Sequence, residues 1–435
     1  MDLKEKTVLV VGLGKSGIAA CRYLVEQGAR VIANDLRNDV QKPAGGVECL
    51  LGSHDVGLAQ QADLVVVSPG IPLHLPMLIK ARERNIPIVG EMELAIVELT
   101  SGPASSEWPA FIAITGTNGK TTTTMLIAHL LKAIGKKVCV AGNIGTPLLS
   151  CISDARHSDW VVLEVSSFQL ETTPSLHPRI AVWLNTTPDH LDWHASFADY
   201  VAAKRKIFEQ LPDDGCGIYN DRDAAIIAAL PKTRATLIPF HSTTPVDWDL
   251  TRVKLEGVHN RENTIASLLA VQRLVTKENH HHIQRALESF TPPPHRLQFI
   301  REVHGVRYYD DSKGTNVGAT VKALESFSSP VVLIAGGRDK GGSYDPLCSI
   351  VREKVKLLVL IGEAAAAMDR ALGTMTRVVR ARSMEDAVMV AHATAVAGDV
   401  VMLSPACSSF DMFRDYAHRG QVFQEAVNGI AQAAL

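Results

Sequence analysis

The sequence predicts an α/β protein of three domains, each built on a mostly parallel sheet flanked by helices. Three observations carry that reading. Short runs of β-branched and apolar residues, such as Thr7–Val11, Val138–Ala141 and Val331–Ala335, alternate with segments of helical periodicity along the whole chain. Most of these runs end in glycine, serine, asparagine or an acid, the composition of strand-end loops in open parallel sheets. A length of 435 residues exceeds what one core organises. Loop-like composition at Thr100–Trp108 and the rigid Pro292-Pro293-Pro294 divide the chain. The expected domains are 1–100, 101–294 and 295–435.

Composition excludes several classes. Lys+Arg 44 against Asp+Glu 46 leaves a net charge of −2, with no basic field to hold nucleic acid. The apolar runs are strand-sized and too short to span a bilayer, and the N-terminus lacks a signal-peptide layout. Seven cysteines without a C-x-x-C pair argue against a disulfide framework or a zinc site. A soluble, cytoplasmic, monomeric protein is expected, with neither a nucleic-acid partner nor membrane insertion.

The first strand, Thr7–Val11, runs into Gly12-Leu13-Gly14-Lys15-Ser16-Gly17 and a helix to Gln27; the next strand, Arg30–Asn34, ends at Asp35. This is G-x-G-x-x-G with an acid about 18–20 residues on, the βαβ fingerprint for a nucleotide-like diphosphate. It admits NAD or a nucleotide-sugar diphosphate equally. Leu64–Val67 ends in Ser68-Pro69-Gly70, where Ser68 is either a ligand contact or part of a plain turn. Ile86–Val89 ends in Gly90.

The second domain opens on Ile112–Ile114 followed by Thr115-Gly116-Thr117-Asn118-Gly119-Lys120-Thr121-Thr122 and an apolar helix. Glycines that turn N–H groups inward, a helix start and a lysine suit a phosphate, and the threonine hydroxyl suits its Mg²⁺. The full P-loop pattern asks for glycine where Ile114 stands, so an ordinary tight turn is the competing reading. Val138–Ala141 ends in Gly142-Asn143-Ile144-Gly145. Trp160–Leu163 ends in Glu164-Val165-Ser166-Ser167-Phe168-Gln169, which places a carboxylate where a Walker B acid would bind Mg²⁺ or act as a helix-start acid. Ile180–Leu184 leads to Pro188-Asp189-His190. Lys204, on an amphipathic helix, reads alone as solvated surface. Asn260 and Asn263 share a face at the start of a helical stretch through Leu274, as caps or as ligands. His280-His281-His282 reads as surface. In the last domain, candidate residues again follow strands: Arg307–Tyr309 before Asp310–Asn316, Val331–Ala335 before Gly336–Gly342, Leu357–Ile361 before Gly362, and Val400–Leu403 before Ser404–Phe410.

Assembled, these motifs resemble the Mur ligase family over the whole length. Thr115–Thr121 matches the family's ATP loop, which lacks the first P-loop glycine. Gly12–Gly17, Gly142–Gly145, Glu164–Gln169, Pro188–His190, Asp311–Asn316 and Leu403–Asp411 match the branch that handles D-glutamate. An Asp-Asn-Pro-Arg motif, the mark of the diaminopimelate-adding relative, is missing, and folylpolyglutamate synthase relatives lack the N-terminal glycine-rich domain. The resemblance implies a Rossmann-like first domain, a P-loop-type central ATPase domain and a Rossmann-like third domain that closes on ATP. It implies an ATP-dependent ligase that joins D-glutamate to UDP-N-acetylmuramoyl-L-alanine through an acyl phosphate, in peptidoglycan precursor synthesis.

The roles it implies are these. Gly14, Lys15, Ser16, Asp35, Arg37, Ser68 and Gly70 would hold the UDP end, and Asn143, Ser166 and His190 the muramoyl-alanine. Gly116, Thr117, Asn118, Gly119, Lys120, Thr121, Thr122, Asn260, Asn263, Arg296 and Asp311 would hold ATP. Thr121 and Glu164 would ligate one Mg²⁺; His190 and Lys204, the latter carbamylated by CO₂, would ligate a second. Carbamylation needs a neutral amine, hence a lysine whose charge its surroundings disfavour. Lys313, Thr315, Lys340, Ser409 and Phe410 would seat D-glutamate, and Lys120, His190, Lys204 and Lys340 would be catalytic. Two other readings stay open: an NAD-dependent oxidoreductase built on Gly12–Gly17, and a non-catalytic nucleotide-sugar sensor.

Overall fold

The computed structural model describes residues 2–101, 108–191, 193–255, 257–339 and 341–430. It contains three sheets. The first is formed by β1 (Thr7–Val11), β2 (Arg30–Asp35), β3 (Val47–Leu51), β4 (Leu64–Val67) and β5 (Ile88–Gly90), in the order β3-β2-β1-β4-β5, all parallel. The second comprises β6 (Ala110–Thr115), β7 (Val138–Gly142), β8 (Trp160–Glu164), β9 (Ile180–Trp183), β10 (Cys216–Asn220) and β11 (Thr236–Phe240). Its order is β11-β10-β9-β6-β8-β7, again all parallel. The third holds β12 (Gln298–Val303), β13 (Val306–Asp310), β14 (Val331–Gly336), β15 (Val355–Ile361), β16 (Val378–Arg380) and β17 (Val400–Leu403), ordered β12-β13-β17-β14-β15-β16.

The central strands are near-continuous apolar runs because helices cover both faces of a parallel sheet. Val8 to Val11, Val65, Ile112 to Ile114, Val161 to Leu163 and Val331 to Ala335 are at or below one per cent exposed. One pairing is antiparallel, within the mostly parallel arrangement expected. β12 runs antiparallel to β13 as a hairpin at the edge of the third sheet. His304-Gly305 makes the turn, both at positive φ, and this short connection permits only the antiparallel arrangement.

The described residues form two compact units. One holds 1–186, 193–249 and 263–288, with the first two sheets; the other holds 187–192, 250–262 and 289–435, with the third. Inside the first unit, the helix Glu91–Leu99 joins the two sheet layers through its first-turn acids. Glu91 Oε1 accepts the Leu149 N–H at 2.6 Å, and Glu93 accepts the Ser175 N–H at 2.9 Å and its hydroxyl at 2.6 Å. Burial pushes the Glu91 carboxyl from its ordinary 4.5 up to about 7, against the opposing pull of the Leu149 N–H.

The native state holds the Glu91 proton more tightly than the unfolded chain does. Its contribution is fully present below pH 4.5 and is lost as pH rises through 7. Urea unfolding of the first unit is expected to show roughly 2–3 kcal/mol less stability at pH 8 than at pH 5 from this group. Glu91→Gln keeps the acceptor for Leu149 and is expected to flatten that slope. An unchanged slope in the variant rules the assignment out.

Candidate functional site

In all three sheets the conspicuous polar residues follow strand C-termini, where open α/β sheets bind ligands. In the first sheet, β1 lies between β2 and β4, so the crevice opens beyond β1 and β4. Gly17 is there because a Cβ would sit 1.9 Å from the Gly12 carbonyl oxygen; only glycine lets the helix start so close to the strand. Asp35, at the end of β2, accepts the Leu13 N–H at 2.7 Å and the Arg37 N–H at 2.9 Å, with the Arg37 Nε at 3.3 Å. Burial pushes the Asp35 carboxyl up, but these N–H groups and the guanidinium outweigh it and hold the group below the usual carboxylate range. Ser68 spends its hydroxyl on the Gly12 carbonyl at 2.7 Å, which braces the turn. Gly14, Lys15, Arg37 and Gly70 are exposed beside it. A cavity of about 320 Å³ lies between this turn and the second sheet, lined by Gly14 and Lys15 on one wall and Gly145, Thr146 and Pro147 on the other.

In the second sheet β6 lies between β9 and β8, and the candidate phosphate loop follows β6. Gly119 has φ +84, and a Cβ there would meet Asn263 Oδ1 at 2.3 Å, so the turn packs directly on that amide. Asn185, just beyond β9, laces the loop from below: it accepts the Asn118 N–H at 2.9 Å and donates to the Asn118 carbonyl at 3.1 Å, while its own carbonyl accepts the Thr117 N–H at 2.9 Å. Lys120 Nζ donates to the Gly116 and Thr117 carbonyls, both at 2.8 Å. Thr122 is buried in the helix that follows.

Glu164, at the end of β8 and 3% exposed, joins two loops. The Thr121 hydroxyl donates to Oε2 at 2.7 Å and the Asn143 amide to Oε1 at 2.9 Å. Ser166 begins an S-x-x-Q capping box with Gln169 and starts the helix Ser167–Glu171. Lys204 is not solvated surface: it is 1% exposed, 3.0 Å from the Gly116 carbonyl and 3.4 Å from Thr115 Oγ1, with Nζ 4.6 Å above the Tyr200 ring. The Tyr200 hydroxyl reaches Thr117 Oγ1 at 3.0 Å. His280, read from sequence as surface, stacks on Trp248 at 4.9 Å and 10°, while His281 and His282 are exposed.

The second unit carries the remaining candidates. His190 has φ +55 and stands 3.7 Å from Asp189, whose carboxylate accepts the Asn316 amide at 3.1 Å. Asn260 is buried in the 250–262 segment. Asp311 accepts the Ser404 hydroxyl at 2.7 Å and the Leu297 N–H at 3.2 Å. Burial pushes its carboxyl up to about 7, opposed by those two bonds and the Arg296 charge. Lys313 Nζ lies 4.0 Å over the Tyr416 ring, and the Thr315 N–H donates to the Lys313 carbonyl at 2.8 Å. Ser409 is buried and Phe410 is 62% exposed. Lys340 lies outside the described residues. Arg419, fully buried, ties this group together: it donates to the Ser312 hydroxyl and carbonyl and to the Cys407 and Ser408 carbonyls.

Three family descriptions match the chain in consecutive blocks: Mur ligase MurD-like N-terminal domain over residues 6–90, Mur ligase middle domain over 114–268, and Mur ligase glutamate ligase domain over 295–407. A protein of Geotalea daltonii named UDP-N-acetylmuramoylalanine–D-glutamate ligase is 42% identical over 99% of both chains. The chain belongs to the Mur ligase family. Another member with that name, from Geobacter metallireducens, is also 42% identical over 99% of each chain. Among solved structures, a MurF ligase from Thermotoga maritima in complex with ADP superposes with a TM-score of 0.61 at 17% identity, over 98% of this chain and 96% of that one. A pseudomurein peptide ligase type C from Methanothermus fervidus gives 0.59 at 18%, over 98% and 100%. These two share the Mur ligase fold. Among the described residues, no group of three His, Cys, Asp or Glu side chains could by itself hold a metal.

Proposed function

We propose that this Mur ligase is an ATP-dependent enzyme that joins D-glutamate to the alanine carboxylate of UDP-N-acetylmuramoyl-L-alanine. The observation that carries the reading is the line Thr121–Glu164–Asn143. It links the ATP loop, a strand-end carboxylate and the Gly142–Gly145 segment, whose far end walls the cavity beside Lys15. Phosphate donor and carboxylate acceptor would thus meet at Glu164.

A carboxylate does not react with an amine unaided, because its oxygen is a poor leaving group. Transfer of the γ-phosphoryl group makes an acyl phosphate and ADP; the D-glutamate amine then attacks the acyl carbon and phosphate leaves. The chain's part is positional and electrostatic. Loop N–H groups and Lys120 would hold the phosphates and offset their repulsion with the attacking carboxylate. Thr121 and Glu164 offer the hard oxygen donors that Mg²⁺ takes, and His190 with a carbamylated Lys204 would serve a second ion. Bound Mg²⁺ would neutralise charge developing on the phosphoryl oxygens. Lys313, Thr315, Lys340, Ser409 and Phe410 would seat D-glutamate, where ammonium and hydroxyl donors suit two carboxylates. Arg419 would fix the two loops that carry most of them. Asn260, Asn263, Arg296 and Asp311 would contact the nucleotide.

Oxygen-18 in the alanine carboxylate tests the route: one label must appear in the released phosphate, and unlabelled phosphate with product formation overturns it. Phosphate release with D-glutamate, but not with L-glutamate, D-alanine or diaminopimelate, tests the acceptor. Asp35→Ala removes the acceptor that shapes the 12–17 turn. It is expected to raise KM for the UDP substrate about tenfold or more, with KM for ATP unchanged. Equal effects on both substrates would place Asp35 outside the UDP site.

A further inference from the structure

His194 has no part in the proposed reaction, yet it is 5% exposed and stands between two elements that carry proposed metal-binding groups. One is the strand end at Glu164, from which the chain passes into the helix Ser167–Glu171. The other is the helix Phe197–Glu209, which carries Tyr200 and Lys204 one turn apart. His194 touches both. Its Nε2 lies 2.9 Å from Ser167 Oγ, a hydrogen bond between two buried side chains. Its ring stacks on Phe168 at 5.7 Å and 15°, and meets the Tyr200 ring edge-on at 5.2 Å and 64°. Trp193, 4.6 Å from the Phe168 ring and 4.5 Å from the His194 ring, closes the cluster.

Tyr200 passes the constraint on. Its hydroxyl is 3.0 Å from Thr117 Oγ1 in the ATP loop, and Lys204 Nζ lies 4.6 Å above its ring. Farther along the same helix, Lys204 Nζ is 3.4 Å from Thr115 Oγ1, which donates to the Val165 carbonyl at 2.9 Å. The helix is therefore fastened to the Glu164 loop through Lys204 itself and, ahead of its first turn, through His194. One fastening fixes a point; a second fixes the rotation about it. Stacking alone lets a flat ring slide, whereas a directional bond at Nε2 sets its register against Ser167.

We propose that His194 is a positioning residue: its bond to Ser167 fixes the Lys204 helix against the Glu164 strand end, and so the relative placement of the groups that would hold the metal ions. This rests on the reading of Glu164 and Lys204 as metal-binding groups of a phosphoryl-transferring ligase. Mg²⁺ demands near-ideal geometry, so a small shift of one group against the other costs affinity and rate. The proposed D-glutamate seat uses other residues, and its affinity should not change.

The experiment uses the full-length enzyme and three variants. His194→Phe keeps a flat ring in the stack and deletes the bond; Ser167→Ala deletes it from the other end; the third variant carries both changes. The readouts are kcat and the D-glutamate KM from phosphate release, the thermal midpoint, and the dissociation constant of Mn²⁺ in the presence of ADP, taken from the electron paramagnetic resonance signal of the free ion. Each single variant is expected to lower kcat about tenfold and to weaken Mn²⁺ about as much, the scale of one buried hydrogen bond whose partner is left unpaired, with the D-glutamate KM unchanged. The double variant should be no worse than the poorer single one, because the same bond is lost only once. A lower thermal midpoint with kcat and Mn²⁺ binding at wild-type values makes the bond merely structural and overturns the proposal, as does a double variant whose losses multiply. If His194→Phe does not fold, Ser167→Ala decides alone, since it removes a single oxygen. A Lys204→Ala enzyme that keeps wild-type kcat and Mn²⁺ affinity overturns the metal reading itself. Where Lys204→Ala loses both, unaffected His194 and Ser167 variants overturn only the positioning role.

Discussion

Lys204→Ala is expected to lower kcat by roughly three orders of magnitude, and formate or acetate to restore part of it. The residue is buried beneath the phosphate loop, against the Gly116 carbonyl, the Thr115 hydroxyl and the Tyr200 ring. An ammonium out of water costs more than a neutral amine there, and a neutral amine is what CO₂ requires. Carbamylation of the neutral amine would release one proton and give the side chain a carboxylate-like ligand group. A purely structural lysine would also be missed when removed, because the variant leaves a hole under the loop. Rescue separates the two roles: a small carboxylic acid can replace the lost oxygens but cannot refill a four-carbon side chain. The measurements are kcat with and without added acid, and the thermal midpoint of each form. Activity near wild type, or a loss that no acid relieves in a stably folded variant, removes the carbamate role. Lys204→Arg is expected to stay inactive, since a guanidinium is never a neutral amine at working pH.

Strand positions were legible where a strand is buried on both faces. Thr7–Val11, Leu64–Val67 and Val400–Leu403 were read with the bounds the fold gives them. β3, β11, β12 and β16 were not read, and each is an edge strand. With one flank open, such strands mix exposed and half-buried residues and lose the apolar run. β10 is internal, but Cys216-Gly217 weakens its β signal.

Glu164, Asn143 and Thr121 could be picked out because each stands at a strand end or a glycine turn, and the fold joins them. Asn185 and Tyr200 could not. Asn185 supports the loop largely through main-chain atoms of residues far away in sequence. Tyr200 looks like one more apolar position on an amphipathic helix. Arg419 was missed for the opposite reason: a basic residue in a polar helix reads as solvated, yet it is fully buried and donates to Ser312, Cys407 and Ser408. Burial pulls its guanidinium down to about 10, against the surrounding acids. Lys204 belongs with these three, since periodicity alone placed it at the surface.

Lys120→Ala is expected to reduce kcat by about three orders of magnitude and to weaken ATP, while the UDP substrate binds as before. Lys120 Nζ is held by two carbonyls of its own loop, Gly116 and Thr117, at 2.8 Å each. Those bonds place a point charge over the turn in which Gly119 exposes the helix start. In phosphoryl transfer most of the barrier reduction comes from such preorganised charge, because the reacting anions repel each other. Removal also takes one donor from each of these carbonyls, of which Gly116 keeps Lys204 Nζ at 3.0 Å, so part of any loss could come from a loosened loop. Lys120→Arg discriminates. It keeps the charge and can still donate to carbonyls, so it is expected to recover loop stability, but its planar fork cannot reproduce a compact ammonium and activity should stay low. The readouts are phosphate release, ATP affinity and the thermal midpoint. If Lys120→Arg regains both stability and most of the activity, the residue supports the loop and its charge is not used on phosphate. If Lys120→Ala loses UDP-substrate affinity as well, the ATP loop and the cavity beside Lys15 are not separate subsites.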